Sequence, residues 1–479
     1  MPLYFQSVVR DSGGQLRCVR PAQCVAVTQL GQVRTPLLFL LLASSLLAQD
    51  DDFRVYTDAP RLLLTAQRLR LLQRERDRQS MRWQQFDALV AGGAAMPESG
   101  LAWALYYRVA KDAAAGKKAV DWALSDAAQN SAQDLRQLAL VFDWCGPVMS
   151  SAQADRLGAK IERMLAAAAP TPANVAQQSA RALAAIAIAD RLPDHGESLL
   201  KPILDQWWRG NIVKRLQSGD PAIPREQAYA LFEFLHAVRD NLKIDPREAA
   251  PEYFKTLPLD HLMGHYPSSY QGPENDYRVP VYVRDGEPNV TDAVLSRAAE
   301  LAMVAYDSNA AENQWVQGWL MQDRFMMRGA LGIPYEFLWA NPYQPGLSYF
   351  LAPLVFHDAT TGHLFARSSW DEDAIWVGYF DGRLQLFRDG KIQTLKAGAA
   401  ADPLRVSGIV ILSARDRDAY RFRADEEQTF VIGLAPHARY ELEIDDQELW
   451  EEETDAGGTL KLALPEGTDA GVRIRRRAD

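Results

Sequence analysis

Residues 173–190 read ANVAQQSARALAAIAIAD, and residues 224–238 read PREQAYALFEFLHAV. In both stretches apolar residues recur at spacings of three and four, which marks a helix burying a face. The first is small and apolar on nearly every side after Asn174, and a helix of that kind sits inside a shell of others. Two such segments 55 residues apart, counted from Asn174 to Tyr229, predict inner helices of one helical ring.

Working outward, the same periodicity runs from Thr65 to about Gly329. It predicts helices over 66–90, 98–114, 131–144, 151–168, 173–192, 196–217, 225–242, 291–307 and 312–329. The breaks carry helix-stopping residues: Gly92-Gly93, Gly146-Pro147, Pro170-Thr171-Pro172, Pro193, and Gly219 to Pro224. Between Pro251 and Pro288 the texture becomes rich in Tyr, Pro and Gly, and reads as a long aromatic loop. After Asn341 the period switches to two, in short runs such as GHLFARSS, AIWVGYF, RLQLFR, GIVILSA and GVRIRR. Asp389-Gly390 between two alternating runs is a hairpin turn. Helices first and strands afterwards imply separate domains: a helical one over 57–340 and an antiparallel β-sandwich over 350–479.

The chain has 479 residues, 48% of them hydrophobic, enough for a large core. Its net charge of −10 argues against a nucleic-acid binder, whose affinity comes from neutralising phosphates. The run Pro36–Leu47 (PLLFLLLASSLL) is too short to span a bilayer; with Arg34 before it and Ala48 after it, it reads as a signal-peptide core. Residues 1–48 are therefore expected to be leader and signal, with initiation near Val33 and cleavage near Ala48, leaving no stable membrane span in a secreted or periplasmic protein. Cys18 and Cys24 fall in that leader, so Cys145 stands alone and no disulfide framework is expected.

Several short motifs occur in an informative order: Pro60-Arg61-Leu62-Leu63-Leu64, then Asp143-Trp144, Asn174, Arg225-Glu226-Gln227 before Tyr229, and finally Leu364–Trp370 with Ala374–Val377. In this order they resemble the heparinase II/III-like polysaccharide lyases, from about residue 57 to 395. The resemblance implies an incomplete α/α toroid followed by a β-sandwich, with β-elimination at a uronate-containing glycan. It implies Asn174 and Tyr229 as catalytic residues. In one respect the chain departs from the family: the stretch after the Trp-bearing strand, GYFDGRLQLFRDGK, lacks the histidine the family carries there.

Elimination needs a neutralised carboxylate, a base and an acid. Asn174 could hold the carboxylate and Tyr229 could pass the proton, helped by a cation; Arg225 and Arg181 lie on the matching helical faces. His261 and His265, at i and i+4, are candidates to face substrate, as are Tyr270, Tyr277 and Arg278 of the aromatic loop. No HExxH or cysteine set accompanies the histidines, so no metal is expected, and no nucleotide motif suggests a cofactor. The expected partner is an acidic polysaccharide or oligosaccharide. Two other readings stay open: a glycan-binding or envelope scaffold protein without activity, and a glycoside hydrolase drawing its acids from Glu226, Glu274 and Asp276.

Overall fold

The computed structural model describes residues 52–477, apart from 129–130, 168–172, 221–222, 273–274, 285, 323–324, 396–402, 415–418, 425–427, 446–447, 463 and 465–467. The leader and signal expectation, Cys18, Cys24 and Glu274 lie outside the described residues. From Asp52 onward the chain forms one compact unit.

Helices come first: α1 (Ala66–Asp77), α2 (Met81–Ala91), α3 (Ser99–Ala110), α4 (Ala113–Leu124), α5 (Ala132–Trp144), α6 (Ser151–Ala166) and α7 (Val175–Ala187). They continue with α8 (Glu197–Lys201), α9 (Lys214–Gln217), α10 (Ala228–Leu242), α11 (Pro251–Met263), α12 (Val290–Tyr306), α13 (Ala311–Leu320) and α14 (Gly332–Trp339). Between α8 and α9 the chain winds as a wider π-helix over Pro202–Val213. Helix starts follow local chemistry: Ser131, Ser150 and Asn174 each close a reciprocal capping box with the residue three places on.

Six helices touch in sequence, α3 to α5, α7, α10, α12 and α14, and α14 comes back against α3. These are the apolar ones: every residue of α14 is buried. By contrast α6 buries only the stripe Leu157, Gly158, Ile161 and Leu165 and leaves its remaining face outward. The helices depart from the sequence expectation in several places, and α4 and α14 form where none was expected. The predicted 66–90 helix is split, because Ser80 caps a new start. The expected aromatic loop begins with α11, where Pro251 occupies the first turn, a position needing no N–H donor, and buried packing accommodates Pro258 within the helix.

Strands follow a minor pair, β1 (Tyr270–Gln271) and β2 (Asp276–Tyr277). Sheet one is the antiparallel meander β3 (Val355–Asp358), β4 (His363–Arg367), β5 (Trp376–Phe380), β6 (Arg383–Arg388) and β7 (Lys391–Leu395). The remaining strands are β8 (Leu404–Val406), β9 (Ile409–Ser413), β10 (Ala419–Ala424), β11 (Gln428–Ile432), β12 (Arg439–Ile444), β13 (Glu448–Glu453), β14 (Leu460–Leu462) and β15 (Thr468–Arg476). They make sheet two, ordered β14-β11-β9-β8, and sheet three, ordered β10-β15-β12-β13.

The expected antiparallel β-sandwich is corrected in two ways. First, β9 and β11 pair in parallel, because β10 leaves for sheet three and the chain returns to sheet two in its original direction. Second, alternation along the strands joins three sheets, not two. Ile409 and Ile411 of β9 pack with Leu364, Val377 and Leu386 of sheet one, while Val410 and Leu412 pack with Leu442, Val472 and Ile474 of sheet three. Continuously apolar strands such as β5 and β9 are those buried on both faces. The other face of sheet one carries Phe356, Phe365, Trp376, Phe380 and Phe387 into the core of the helices. Residues of β4 therefore alternate: Leu364 and Ala366 face sheet two, whereas His363 and Phe365 face the helices.

Candidate functional site

A cavity of about 720 Å³ opens where the helices meet sheet one. One wall is α11 with the residues leading into α10 and α12. Sheet one forms the opposite wall, and Val279–Arg284 close a third side. The walls are tied together by hydrogen bonds. Trp376 Nε1 donates to the carbonyl of Met263 at 2.9 Å, fixing the end of α11 on β5. Gln385 accepts from the Tyr266 hydroxyl at 2.8 Å and donates to the Tyr282 carbonyl at 2.9 Å, which pins the loop to β6. At the rim Gly362 lies so close to Gly457 that a Cβ on it would sit 2.1 Å from the Gly457 nitrogen, so the turn after β3 and the turn before β14 meet backbone to backbone.

The centre of the cavity is an ion pair across the two walls. His363 Nδ1 on β4 meets Asp260 Oδ1 on α11 at 2.7 Å. Burial works against a charged His363, but Asp260 outweighs it and holds the imidazole above its ordinary value, with Asp381 and Asp358 adding to the effect. Burial likewise opposes ionised Asp260, yet His363 keeps its carboxyl below the usual range. Nδ1 is thus occupied, and among the described residues no hydrogen bond engages Nε2. Asp358 of β3, buried beside it, accepts from the Thr256 hydroxyl at 3.1 Å and the Thr360 N–H at 2.9 Å. Glu226, Asp292 and Asp381 add further carboxylates to the lining, with Tyr253, Tyr282, Phe365 and Phe380 as its aromatic surface.

On the helical wall Arg225, which lines the cavity, is held from several sides. Nε donates to Ser296 Oγ at 2.9 Å, and Nη2 to the His261 carbonyl at 2.7 Å and to Glu300 Oε1 at 3.1 Å. Gly264 makes room for it: a Cβ there would lie 2.7 Å from Arg225 Nη1. Burial opposes the charge on Glu300, but His265, His261 and Arg225 around it hold the carboxyl down at about 2. Burial itself drives His265 down to about 3, so Arg225 is the lasting positive partner. Among the described residues no group of three or more His, Cys, Asp or Glu is placed to hold a metal ion. No helix among them is long and apolar enough to cross a membrane.

Of the residues singled out from sequence, the structure brings Arg225, His261 and His265 together around Glu300. It places the others elsewhere. The Asn174 side chain is exposed and spent on its own helix start, accepting from Gln177 N–H at 2.9 Å. Arg181 satisfies the end of α6, donating to the carbonyls of Leu165 at 2.9 Å and Ala167 at 3.0 Å. Tyr229 is 4% exposed and sits in a sealed network inside the helical core. Its hydroxyl accepts from Trp339 Nε1 at 3.0 Å and lies 3.4 Å from Arg136, which grips Glu233 through two bonds of 2.6 Å and Glu98 at 2.9 Å. Burial, with Glu233 beside it, pushes the Tyr229 phenol well above its ordinary value. That is the opposite of what a base requires. Tyr277 is buried, Tyr270 belongs to the small β1–β2 pair, and Arg278 stacks 3.7 Å over Phe325 while donating to Pro267 and Gln322. None of these three lines the cavity.

Sequence reasoning gave no chemical role to His363 or Asp260. The resemblance directed attention to the stretch after β5, whereas His363 lies on β4, the strand before. The parity of β4 was the available signal, since His363 shares a face with Phe365.

No family model matches the chain, and no curated protein matches it. Among solved structures a glycoside hydrolase is similar at 9% identity and a TM-score of 0.30, over 79% of this chain and 71% of that one. A likeness of this size carries no weight for fold or activity.

Proposed function

We propose that the chain is a carbohydrate-active protein that holds an oligosaccharide in the cavity between helices and sheet one and cleaves its glycosidic bond by hydrolysis. The observation that carries this is the lining itself: Asp260, Asp358, Asp292, Asp381 and Glu226 share one cavity with aromatic rings and with a histidine whose Nε2 makes no hydrogen bond among the described residues. Glycoside hydrolysis passes through a positively charged, oxocarbenium-like sugar, and an anionic cavity stabilises that charge as it develops. In this reading His363, as imidazolium oriented by Asp260, protonates the leaving oxygen, and neighbouring carboxylates stabilise the cation and activate water. The helical cycle supports an α/α toroid as the scaffold, and the run Pro36–Leu47 supports export.

A second reading is β-elimination at a uronate, as in the heparinase II/III-like lyases. It is favoured by a sheet histidine that lines one cavity with Arg225. Against it, elimination accumulates negative charge at the sugar carboxylate, and Arg225 is already engaged by Glu300. The two chemistries leave different products and opposite pH limbs. Hydrolysis yields new reducing ends without ultraviolet-absorbing product, and its rate falls as pH rises through the elevated His363 value, because the acid form is lost. Elimination yields an unsaturated, absorbing uronate, and its rate rises over the same window. Incubation with neutral, amino-sugar and uronate oligosaccharides, followed by absorbance and reducing-end assay across pH, decides between them; neither product from any of them rejects both.

A further inference from the structure

From Phe337 to Phe356 no residue is charged, yet part of this stretch lies on the outside of the protein. Hydrogen bonds lay it along α13: Leu347 N–H donates to the Gln314 carbonyl at 3.0 Å, and Gln317 Nε2 donates to the carbonyls of Asn341 at 2.9 Å and Gln344 at 3.1 Å. Pinned in this way, the segment exposes Tyr343, Leu347, Phe350 and Leu351, with Phe350 56% and Leu351 77% exposed. The other large apolar side chains exposed among the described residues, Tyr56, Met81, Val283 and Ile392, are scattered along the chain. Single exposed apolar residues are ordinary, whereas several gathered on one stretch mark an interaction surface. None of the four lines the cavity.

Opposite charges flank this stretch. At one end Arg70, Arg74 and Arg78 are exposed at intervals of four on α1 and just after it, and Arg74 and Arg78 lie 5.5 and 5.2 Å over the Tyr343 ring. Of the acids beside them, Asp77 is taken by Arg76 and Glu75 is buried. At the other end Phe350 stacks on Tyr349, Tyr349 packs edge-on against Trp370, and the turn after Trp370 exposes Asp371 and Asp373. Among the described residues no ion pair takes any of these three arginines or two aspartates. From this we infer that the face pairs with a second copy of this chain about a two-fold axis, with the apolar side chains meeting at the centre and the arginine end of each copy meeting the aspartate end of the other. A two-fold contact requires a surface that is its own complement, and an apolar middle between opposite charges meets that requirement. An anionic lipid surface would attract the arginine end and repel the aspartate end.

Sedimentation velocity of the full chain over a concentration series tests the pairing. The expected result is a monomer–dimer equilibrium. Two charge reversals, R74E/R78E at one end and D371R/D373R at the other, each set like charges opposite one another and weaken the dimer by at least about tenfold, while thermal unfolding stays close to wild type. Mixed one to one, the two variants regain the dimer, because every end then meets its opposite. A wild-type chain that stays monomeric at its highest soluble concentration overturns the inference, and if that monomer sediments with phosphatidylglycerol vesicles the face belongs to a lipid surface instead. A dimer that both variants keep overturns the face assigned to it. Folded, monomeric variants that do not associate when mixed overturn the pairing of the ends.

Discussion

Two buried charge clusters in this molecule each contain an arginine bound to glutamate and differ in what surrounds them. In the helical core Arg136 joins Glu98 and Glu233, with Tyr229, Tyr335 and Trp339 closing the network. At the junction with sheet one, Asp260 meets His363, with Arg225 and Glu300 behind. The core cluster has its charges bonded within the protein, and none of its residues lines the cavity at the junction. The junction cluster faces about 720 Å³ of open volume and, among the described residues, leaves His363 Nε2 without a hydrogen bond. Tyrosine, carboxylate and arginine together are thus no signature of a site. What distinguishes a site is polar capacity left over beside space that a ligand can fill.

The sharpest way to break the comparison is to remove the cation of the sealed cluster. Arg136→Ala leaves Glu98 and Glu233 buried without their partner, and breaking a buried pair on one side costs about 3–5 kcal/mol. Denaturant unfolding should show that loss. A cost under about 1 kcal/mol, the range of exposed pairs, would mean the cluster is open to water and the contrast is false. At the junction the corresponding change is His363→Gln, which keeps polarity and removes the titrating group. It should reduce glycosidic turnover by about 10²-fold or more, at the low end of what general acid–base groups supply, with a smaller effect on unfolding. In wild type the His363–Asp260 pair stabilises the fold fully below the ordinary histidine value, and that stabilisation is lost as pH rises through the elevated one; His363→Gln should flatten this part of the stability curve. Unchanged turnover in a folded variant would move the chemistry away from the junction.

Most helices were legible in sequence because their periodicity and caps are local; α4, α11 and α14 were not read. The order of motifs was also legible, and the structure gives it a physical basis. Asp143 accepts the N–H groups of Arg61 and Leu62 at 2.9 and 2.8 Å, and Trp144 Nε1 donates to the Leu62 carbonyl at 2.9 Å. The Pro60–Leu64 and Asp143-Trp144 motifs are therefore two halves of one clamp. Burial pushes the Asp143 carboxyl up to about 6, against those N–H bonds. The junction was much less legible. His363 and Asp260 stand 103 residues apart, and only the packing of α11 onto β4 joins them. Nor could period-two strands reveal how many sheets they form, since β9 and β5 are buried on both faces and alternation between two apolar faces leaves no polar trace.

The smallest effect tests the residue that looked most catalytic in sequence. Tyr229→Phe keeps the ring against Tyr335, 4.6 Å between centroids, and removes only the hydroxyl. The Trp339 indole N–H then loses its acceptor inside the core, which costs about 1–2 kcal/mol for an unsatisfied buried donor. Turnover should stay within about twofold of wild type, since even a tenfold loss would require about 1.4 kcal/mol of transition-state stabilisation from a phenol that does not line the cavity. The two readouts separate the clusters. Lost stability with retained turnover fits Tyr229 as part of the seal. If turnover falls by a hundredfold or more in a protein that unfolds like wild type, the reacting sugar lies in the helical core, and the sealed cluster must open to admit it.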